Sequence, residues 1–305
     1  MQEKRDFLSI LDLSTSEIKQ ILELAIKLKH ERKNGFNRAL LNGKSFAMIF
    51  EKPSTRTYIS FDVAVHQLGG HIVTLGQSSL SGREKLSDVA NCLTRYVDGL
   101  IIRTFKQDKL EIFAKNTDVP VINALTDKYH PCQALADYLT MTEHKGDKKL
   151  KITYLGDGYN VANSLLLVAT KVGHDISFGT PNGFEPDKEL LNTAAKFAEK
   201  SGSNVLVTND PKEAITGADI VYTDTWTSMG LEEETEKRIE IFSDFQVNSK
   251  LMTYANKEAS VMHCLPAHRG QEITDEVIDS KQSIVFDQAE NRLHIQKAIL
   301  AFLYS

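Results

Sequence analysis

Short apolar runs alternate along the chain with longer stretches in which apolar residues recur every three or four positions. The short runs predict β-strands, and the longer stretches predict amphipathic helices. The predicted strands are 46–49, 71–75, 99–103, 119–123, 151–155, 175–178, 204–207, 219–222, 260–264 and 283–286. The predicted helices begin near Ser14 and Ser54 and continue with 86–96, 108–115, 131–144, 160–172, 187–200, 249–256 and 288–303. Strands that alternate with helices are typical of parallel βαβ units.

A polar run at residues 143–149 interrupts this alternation and gives the best domain boundary. We therefore expect two domains, residues 1–145 and 146–305, with the last helix (288–305) packing back on the first. The predicted fold class is α/β, with two doubly wound parallel-sheet domains and a cleft between them. Ligands bind such sheets at the carboxyl ends of the strands, so the chemistry is expected on the loops there.

The composition of the 305 residues argues against several classes of protein. A net charge of −5 gives no reason to expect nucleic acid or a membrane surface as a partner. No apolar run is long enough to span a bilayer, and residues 1–6 lack the apolar core of a signal peptide. Three widely spaced cysteines without a Cys-x-x-Cys pair argue against a disulfide framework or a structural zinc site, so a cytoplasmic location is expected.

The segment Phe50–Thr57 contains the strongest candidate for phosphate binding. Strand 46–49 ends there, and Ser54-Thr55-Arg56-Thr57 opens a helix whose first-turn N–H groups can bind an anion. Ser54 or Thr55 can cap the helix, and Arg56 adds a positive charge with paired N–H donors. Because Arg103 closes another apolar strand, two arginines at one sheet edge would form a phosphate clamp. The alternative is a simple helix cap with two surface arginines.

The segment His130-Pro131-Cys132-Gln133 lies between strand 119–123 and the following helix. Proline suits the first helical turn, which leaves His130 and Gln133 at the mouth of the helix. A histidine there can donate to a carbonyl oxygen, and a glutamine can both donate to and accept from an amide. A structural histidine is the alternative. A metal site of His130 with Cys132 is weaker, because no second ligand pair stands at a suitable spacing.

The segment Gly156-Asp157-Gly158 follows a predicted strand and opens a helix, as a dinucleotide-binding fingerprint does. Val161 stands where the third glycine belongs, and no acid ends the second strand about 20 residues further on. These two differences argue against a nicotinamide cofactor, and no cofactor is expected. Asn160 can instead bind the polar head of an amino acid.

Two later segments carry further candidate side chains. The segment Asp224–Gly230 combines a carboxylate suited to an ammonium group with a loop that can close over a ligand, and an ordinary solvated loop is the alternative. The segment His263-Cys264-Leu265-Pro266 suggests a Cys–His nucleophile. His263 would point to the opposite face of its strand from Cys264, however, and nothing in the sequence fixes the position of His268. Arg292, near the start of the last helix, is either a third cation or a surface residue.

Taken in order, these motifs resemble the aspartate/ornithine carbamoyltransferase family, and its ornithine branch in particular. The resemblance runs nearly the whole length of the chain. It is carried by Ser54 to Thr57, Arg103, His130 to Gln133, Asp157 to Ser164, Asp224 to Gly230, His263 to Gly270 and Glu290 to Arg292. The Asp-x-Trp-x-Ser-Met-Gly and His-Cys-Leu-Pro elements are the ones that favour ornithine over aspartate.

The resemblance implies an enzyme that transfers the carbamoyl group of carbamoyl phosphate to the side-chain amine of L-ornithine, giving citrulline and phosphate. This is a step of arginine biosynthesis and needs no metal. Carbamoyl phosphate would contact Ser54, Thr55, Arg56, Thr57, Arg103, His130, Gln133, Cys264, Leu265 and Arg292. L-Ornithine would contact Asn160, Asp224, Ser228 and Met229. Family members are trimers or multiples of trimers, so a homotrimer is expected.

The resemblance also implies catalytic roles for four residues. Arg56 and His130 would stabilise the oxyanion and the leaving phosphate. Asp224 and Cys264 would orient the amine and favour its reactive form, without a covalent intermediate on the thiol.

Three positions depart from the family pattern. Tyr58 stands where arginine is usual, the loop 78–84 lacks a glutamine that many ornithine enzymes use, and Tyr159 replaces a common asparagine. Three alternatives stay open: the same chemistry on a related amine such as putrescine, an acyl-transfer enzyme with Cys264 as nucleophile, and a non-catalytic binding subunit. The motifs do not fix the direction of the reaction in the cell.

Overall fold

The computed structural model describes residues 4–76, 84–227 and 232–305, and the chain forms two compact units. Unit 1 comprises Met1–Leu139 and Glu290–Ser305, and unit 2 comprises Thr140–Ala289. The division falls inside two helices, α5 (Pro131–Lys145) and α12 (Val285–Leu303). The domain boundary at 145 and 146 stays a prediction, because a division into compact units does not show which segment folds by itself.

Unit 1 is built, in its described part, on a four-stranded parallel sheet with the order β2-β1-β3-β4. The strands are β1 (Ser45–Phe50), β2 (His71–Leu75), β3 (Gly99–Arg103) and β4 (Val121–Leu125). The helices are α1 (Thr15–Lys33), α2 (Thr55–Gln67), α3 (Leu86–Leu93), α4 (Gln107–Lys115), the first turns of α5 and most of α12, with a short 3-10 helix at Ile10–Asp12. The strand order reverses between β1 and β3. Such a switch point leaves a crevice at the strand ends in which ligands bind.

Unit 2 contains a five-stranded parallel sheet in its described part, with the order β7-β6-β5-β8-β9. The strands are β5 (Lys151–Leu155), β6 (Asp175–Gly179), β7 (Val205–Thr208), β8 (Ile220–Thr223) and β9 (Ser260–His263). The helices are α6 (Asn160–Val172), α7 (Lys188–Ser201), α8 (Pro211–Ile215), α9 (Thr235–Phe242), α10 (Ser249–Met252) and α11 (Asp275–Ile278), with 3-10 helices at Glu232–Glu234 and Ser243–Phe245. The switch point of this sheet lies between β5 and β8.

Burial of the inner strands on both faces explains their composition. Residues 46–49 of β1 and 100–102 of β3 are apolar and at most 1% exposed. Inner strands of parallel sheets read as continuous apolar runs for this reason. A charge within such a run would lose its water, so Arg103 stands at the end of β3 and Asp224 directly after β8. Among the described residues, none of the helices has both the length and the apolar character needed to span a bilayer.

The structure confirms the predicted α/β class with parallel sheets in both units, and it corrects two of the predicted strands. β4 begins at Val121 rather than at residue 119, because Pro120 has no N–H to donate to a strand ladder. Residues 283–286 form no strand. Ser283 makes one isolated bridge to Val261, and α12 begins at Val285. A short apolar run cannot by itself be told from the start of a buried helix.

Lys297 on α12 is a fully buried lysine in unit 1. Its Nζ donates to the amide oxygens of Asn37 (3.2 Å) and Gln67 (3.0 Å). Burial, and then the charge of Arg32, lowers the pKa of Lys297 from 10.5 to about 8. Between these two values the unfolded chain binds a proton that the folded chain has released. The stability that this group contributes therefore rises with pH from about 8 to about 10.5.

Replacing Lys297 by methionine removes the charge and keeps most of the side-chain volume. We expect Lys297→Met to raise the free energy of unfolding at pH 7 by about 1–3 kcal/mol, and to lose this advantage at pH 10. Urea unfolding at both pH values measures the difference, with exposed Lys27→Met on α1 as the matched control. An equal difference from the parent protein at both pH values would contradict the assigned pKa.

Candidate active site

The first candidate site lies at the switch point of unit 1, where β1 and β3 end. Arg103 is the register partner of Phe50, and the N-terminus of α2 follows β1 after a short loop. Ser54 occupies the N-cap position, but within the described residues its hydroxyl makes no cap bond and donates to Oγ1 of Thr57 (3.0 Å). Ser54 thus stands at the predicted N-cap position without making the side-chain bond of a typical cap. The first-turn N–H groups of α2 are not used by a side-chain cap, which is the arrangement that favours an anion.

The hydroxyl of Thr57 joins residues that are far apart in the sequence. This side chain is fully buried, and its Oγ1 lies 2.6 Å from Nη2 of Arg292 and 3.5 Å from Nη1 of Arg103. Arg292 is therefore a third cation of this site rather than a surface residue. Thr55 and Arg56, at the start of α2, are exposed. Two inward guanidinium groups beside a helix N-terminus and an exposed arginine give unit 1 a site adapted to a phosphate.

His130 precedes α5 and is 5% exposed. Burial, followed by the charges of Arg292 and Arg103, holds the pKa of His130 well below its ordinary 6.5. The imidazole is therefore neutral at physiological pH and offers one N–H to an acceptor. Gln133, in the first turn of α5, is buried as well. Hydrogen bonds thus join Ser54, Thr57, Arg103 and Arg292, and the charges of both arginines act on His130.

Cys132 contributes nothing reactive to this site. Its Sγ donates to the carbonyl oxygen of Asn123 (3.5 Å), and burial raises the pKa of the thiol to about 12. A thiolate is required for both nucleophilic attack and metal binding. In the described part of the chain, Cys132 and His130 belong to no group of three potential metal ligands.

The turn after β5 contains the glycines that resembled a dinucleotide fingerprint. Gly158 donates its N–H to the carbonyl oxygen of Phe184 (2.8 Å), and a Cβ on Gly158 would lie 2.4 Å from the backbone nitrogen of Pro186. The glycine is needed because two backbone segments pass each other here, not because a pyrophosphate approaches. Asn160 follows as the first residue of α6 and is buried.

Arg238 of α9 ties this turn to the segment after β8. Its guanidinium donates to Oδ2 of Asp157 (2.6 Å) and to the carbonyl oxygen of Trp226 (2.9 Å), and it lies over the ring of Phe184. The Nε donates to Glu234 (2.9 Å). The sequence analysis missed Arg238, since one arginine within an acidic helix gives no periodic or motif signal. The contact set fixes the two segments that carry Asn160 and Asp224.

Asp224 follows β8 at the switch point of unit 2. Its Oδ1 accepts from the thiol of Cys264 (2.9 Å) and from the backbone N–H of Thr225 (2.7 Å). Burial raises the pKa of Asp224, while His263 and the bond from Cys264 act in the opposite direction. A buried carboxylate beside a thiol is suited to an amine or ammonium group.

His263 is fully buried and holds the segment that follows β9. Its Nδ1 accepts from the backbone N–H of Leu265 (2.9 Å), so the proton lies on Nε2, which is 3.0 Å from Oε1 of Glu272. Leu265 adopts a left-handed conformation with φ of 59°. Because both ring nitrogens are engaged, His263 cannot serve as the base for Cys264. Glu272, which also accepts from the N–H of His268 (2.5 Å), was missed because it stands in no motif.

Potential ligand atoms of Asp224, His263 and Cys264 lie within 4.8 Å of one another, which is the arrangement of a possible metal site in the described residues. Coordination through His263 would break its bond to Leu265 or to Glu272. The three side chains therefore fit their hydrogen bonds better than they fit a metal ion.

Several of the predicted positions lie outside the described residues. Ser228 and Met229, predicted to bind ornithine, are among them, as are residues 78–83 of the loop that departs from the family pattern. The other two departures are described. The Tyr58 hydroxyl lies 3.0 Å from Oγ1 of Thr74, and Tyr159 occupies the N-cap position of α6.

A phosphate-adapted site in one α/β unit and a buried carboxylate in the other are the features of a group-transfer enzyme. Two family models together match nearly the whole chain. "Aspartate/ornithine carbamoyltransferase, carbamoyl-P binding domain" matches residues 5–143, and "Aspartate/ornithine carbamoyltransferase, Asp/Orn binding domain" matches residues 148–303. The chain belongs to the aspartate/ornithine carbamoyltransferase family.

Individual relatives are similar over nearly the whole chain. The ornithine carbamoyltransferase of Carboxydothermus hydrogenoformans is 50% identical over 302 residues, which are 98% of this chain and 97% of the relative. The structure of the Pyrococcus furiosus enzyme, also 50% identical, superimposes with a TM-score of 0.95 over 98% of this chain and 96% of the other. The Gloeobacter violaceus enzyme is 46% identical, with a TM-score of 0.89 and full coverage of both chains. The predicted resemblance is confirmed.

The ion pair between Arg238 and Asp157 gives a stability prediction for unit 2, because the two side chains are only 8% and 11% exposed. Arg238→Met leaves a buried carboxylate without its cation and is expected to lower the free energy of unfolding by about 3–5 kcal/mol. Adding Asp157→Asn should recover at least half of that loss. Urea unfolding measures both variants. Arg269→Met, which breaks exposed ion pairs with Asp275 and Asp279, is the control and is expected to change the free energy of unfolding far less. Equal stability of the single and double variants would contradict this account.

Proposed function

We propose that the protein transfers the carbamoyl group of carbamoyl phosphate to the side-chain amine of L-ornithine, which yields L-citrulline and phosphate. The observation that carries the proposal is the cluster of Thr57, Arg103 and Arg292 beside a neutral His130. Thr57, Arg103 and His130 lie within residues 5–143, which the carbamoyl phosphate-binding family model matches. Relatives about 50% identical over nearly the whole chain are named ornithine carbamoyltransferase. The product would enter arginine biosynthesis, in keeping with the word "anabolic" in the name of the Pyrococcus furiosus relative.

Carbamoyl phosphate is proposed to bind unit 1 with its phosphate on the N-terminus of α2 and the arginines. The phosphate contacts would be Ser54, Thr55, Arg56, Thr57 and Arg103. The carbamoyl group would contact Thr57, His130, Gln133 and Arg292. Support comes from the first turn of α2, where the N-cap residue Ser54 makes no side-chain cap bond among the described residues, and from the two guanidinium groups directed at one hydroxyl. Cys264 and Leu265, which the resemblance adds to this set, belong to unit 2 and stay a prediction.

L-Ornithine is proposed to bind unit 2 through Asn160 and Asp224, together with Ser228 and Met229 from the segment outside the described residues. Support comes from the burial of Asn160 and Asp224 at the switch point of the sheet. Asp224 accepts from the Cys264 thiol at 2.9 Å, so a carboxylate and a thiol lie together where the attacking amine is proposed to bind.

The proposed reaction is a single carbamoyl transfer. The neutral amine of ornithine attacks the carbonyl carbon, and a new N–C bond forms. The bond between that carbon and the phosphate oxygen breaks, phosphate leaves with the electron pair, and the nitrogen loses one proton. Negative charge develops on the carbonyl oxygen and then on the leaving phosphate. The N–H of neutral His130 and the charge of Arg56 would stabilise these two sites, and preorganised donors of this kind give large rate accelerations.

Assembly and location form a further part of the proposal. We propose a homotrimer, because the resemblance of the chain to this family implies a trimeric assembly. A cytoplasmic location is supported by the three cysteines, which form no disulfide with one another in the described residues.

Comparison of acceptors tests the proposed function most directly. Citrulline formation from carbamoyl phosphate is measured with L-ornithine, and carbamoylated product is measured with putrescine and L-aspartate at equal concentration. We expect a preference for L-ornithine of at least about 100-fold in kcat/KM, because a site built around polar groups rejects acceptors that leave them unpaired. A preference for putrescine would keep the chemistry and overturn the assignment of the amino-acid residues. No turnover with any acceptor would overturn the function.

A pair of variants tests the assignment of one substrate to each unit. Asp224→Asn should raise the KM for ornithine at least about tenfold and change the KM for carbamoyl phosphate by less than about threefold, because it removes one charge from unit 2. Arg56→Ala should lower kcat/KM for carbamoyl phosphate by about 10³ through lost charge stabilisation. Steady-state kinetics with each substrate varied in turn measures both. Equal effects of Asp224→Asn on the two substrates would contradict the division.

A further inference from the structure

Gln133 and Asp137 form a buried pair one turn apart on α5. The Nε2 of Gln133 donates to Oδ1 of Asp137 at 2.8 Å, and the two residues are 1% and 0% exposed. Gln133 follows His130 by three residues, so it stands in the first turn of α5 beside the phosphate-adapted site of unit 1. Asp137 lies one turn deeper in the same helix and takes part in none of the proposed substrate contacts.

The chemistry of the pair decides which end of the Gln133 amide faces the site. The two ends of a glutamine amide are almost the same in shape, and their orientation is set by hydrogen-bond partners. A carboxylate can only accept, so the NH₂ group must face Asp137 and the carbonyl oxygen must point away from it. That oxygen, Oε1 of Gln133, is buried and has no hydrogen-bond partner among the described residues.

A buried amide oxygen without a donor costs about 1–3 kcal/mol, so a donor from outside the protein is expected at this position. The carbamoyl group of carbamoyl phosphate carries an NH₂ that supplies such a donor. Acetyl phosphate has almost the same shape and charge but carries a methyl group there. A site with an oriented acceptor therefore discriminates between the two compounds by one hydrogen bond.

We propose that Asp137 is a positioning residue that holds Gln133 as a hydrogen-bond acceptor and so selects a carbamoyl over an acetyl donor. This inference rests on the proposed function, because it requires carbamoyl phosphate to bind unit 1. Asp137 acts through Gln133 and does not touch the substrate. The buried carboxylate of Asp137 thus acts in the choice between carbamoyl phosphate and acetyl phosphate and does not bind the phosphate group.

The test is the affinity for carbamoyl phosphate relative to acetyl phosphate. In the citrulline assay this ratio is the inhibition constant of acetyl phosphate divided by the KM for carbamoyl phosphate. Asp137→Asn is nearly isosteric, but its amide can both donate and accept, so Gln133 is no longer held in one orientation. We expect the KM for carbamoyl phosphate to rise about 5- to 50-fold, with less than about a threefold change in the inhibition constant of acetyl phosphate. The inhibition constant of inorganic phosphate should not change, since the phosphate contacts are intact.

Two further variants separate positioning from a structural role. Gln133→Met with Asp137 retained should lower the ratio by a similar factor, and this variant keeps the inference testable if Asp137→Asn does not fold. In the double variant, Asp137→Asn should have no further effect on the ratio, because the residue through which it acts is gone. Exposed Asp108→Asn on α4 is the matched control and should leave the ratio unchanged.

The outcomes distinguish this inference from the proposed function. An unchanged ratio in Gln133→Met or in Asp137→Asn overturns the positioning role while leaving the carbamoyl transfer in place. Equal losses of affinity for carbamoyl phosphate and acetyl phosphate also overturn it, because they indicate that Gln133 and Asp137 have only a structural role. Failure of the parent protein to use carbamoyl phosphate overturns the proposed function and this inference together.

Discussion

The reversal of strand order within each parallel sheet is the constraint on which both candidate sites depend. In unit 1 it falls between β1 and β3, and in unit 2 between β5 and β8. The crossover helices leave in opposite directions at such a point, so the strand ends stay uncovered. Arg103 and the start of α2 stand at the first of these points, and Asp224 and Asn160 stand at the second. Charged side chains can therefore stand at the carboxyl ends of the inner strands, while the buried interior of these strands stays apolar.

Burial has opposite consequences for the two ionisable groups that matter most in these sites. It disfavours the charged form of each, so the pKa of His130 falls and that of Asp224 rises. For His130 the nearby arginines act in the same direction as burial, and the imidazole becomes a fixed neutral donor. For Asp224 the neighbouring His263 and Cys264 oppose burial. Burial and the two arginines thus favour the neutral form of His130, whereas the interactions of Asp224 with His263 and Cys264 favour its ionised form.

The sequence predicts the strands β1 to β9 and the residues at their ends well, because these follow from local patterns, whereas the helices α8, α9 and α11 were not predicted. The apolar runs predict the strands, and the polar residues predicted at the ends of β1, β3 and β8 are the ones that stand at the switch points, although the strand order itself was not predicted. Residues that act through long-range contacts leave no such pattern. Arg238 reaches Asp157 from a helix that follows another strand, and Glu272 reaches His263 across a turn. The segment 283–286 was misread because Ile284 and Val285 are buried at the start of α12, where burial does not distinguish a strand from a helix.

The discontinuity of unit 1 has a consequence for the order in which the chain can acquire its structure. Arg292, which donates to Thr57 at 2.6 Å, belongs to a segment that is synthesised after the whole of unit 2. During translation, domains generally fold from the N-terminus as they emerge. The sheet of unit 1 can form early, but its phosphate-adapted site lacks one of its arginines until residues 290–305 have left the ribosome. The nascent chain therefore carries an unfinished anion site throughout the synthesis of unit 2, and the last helix completes it.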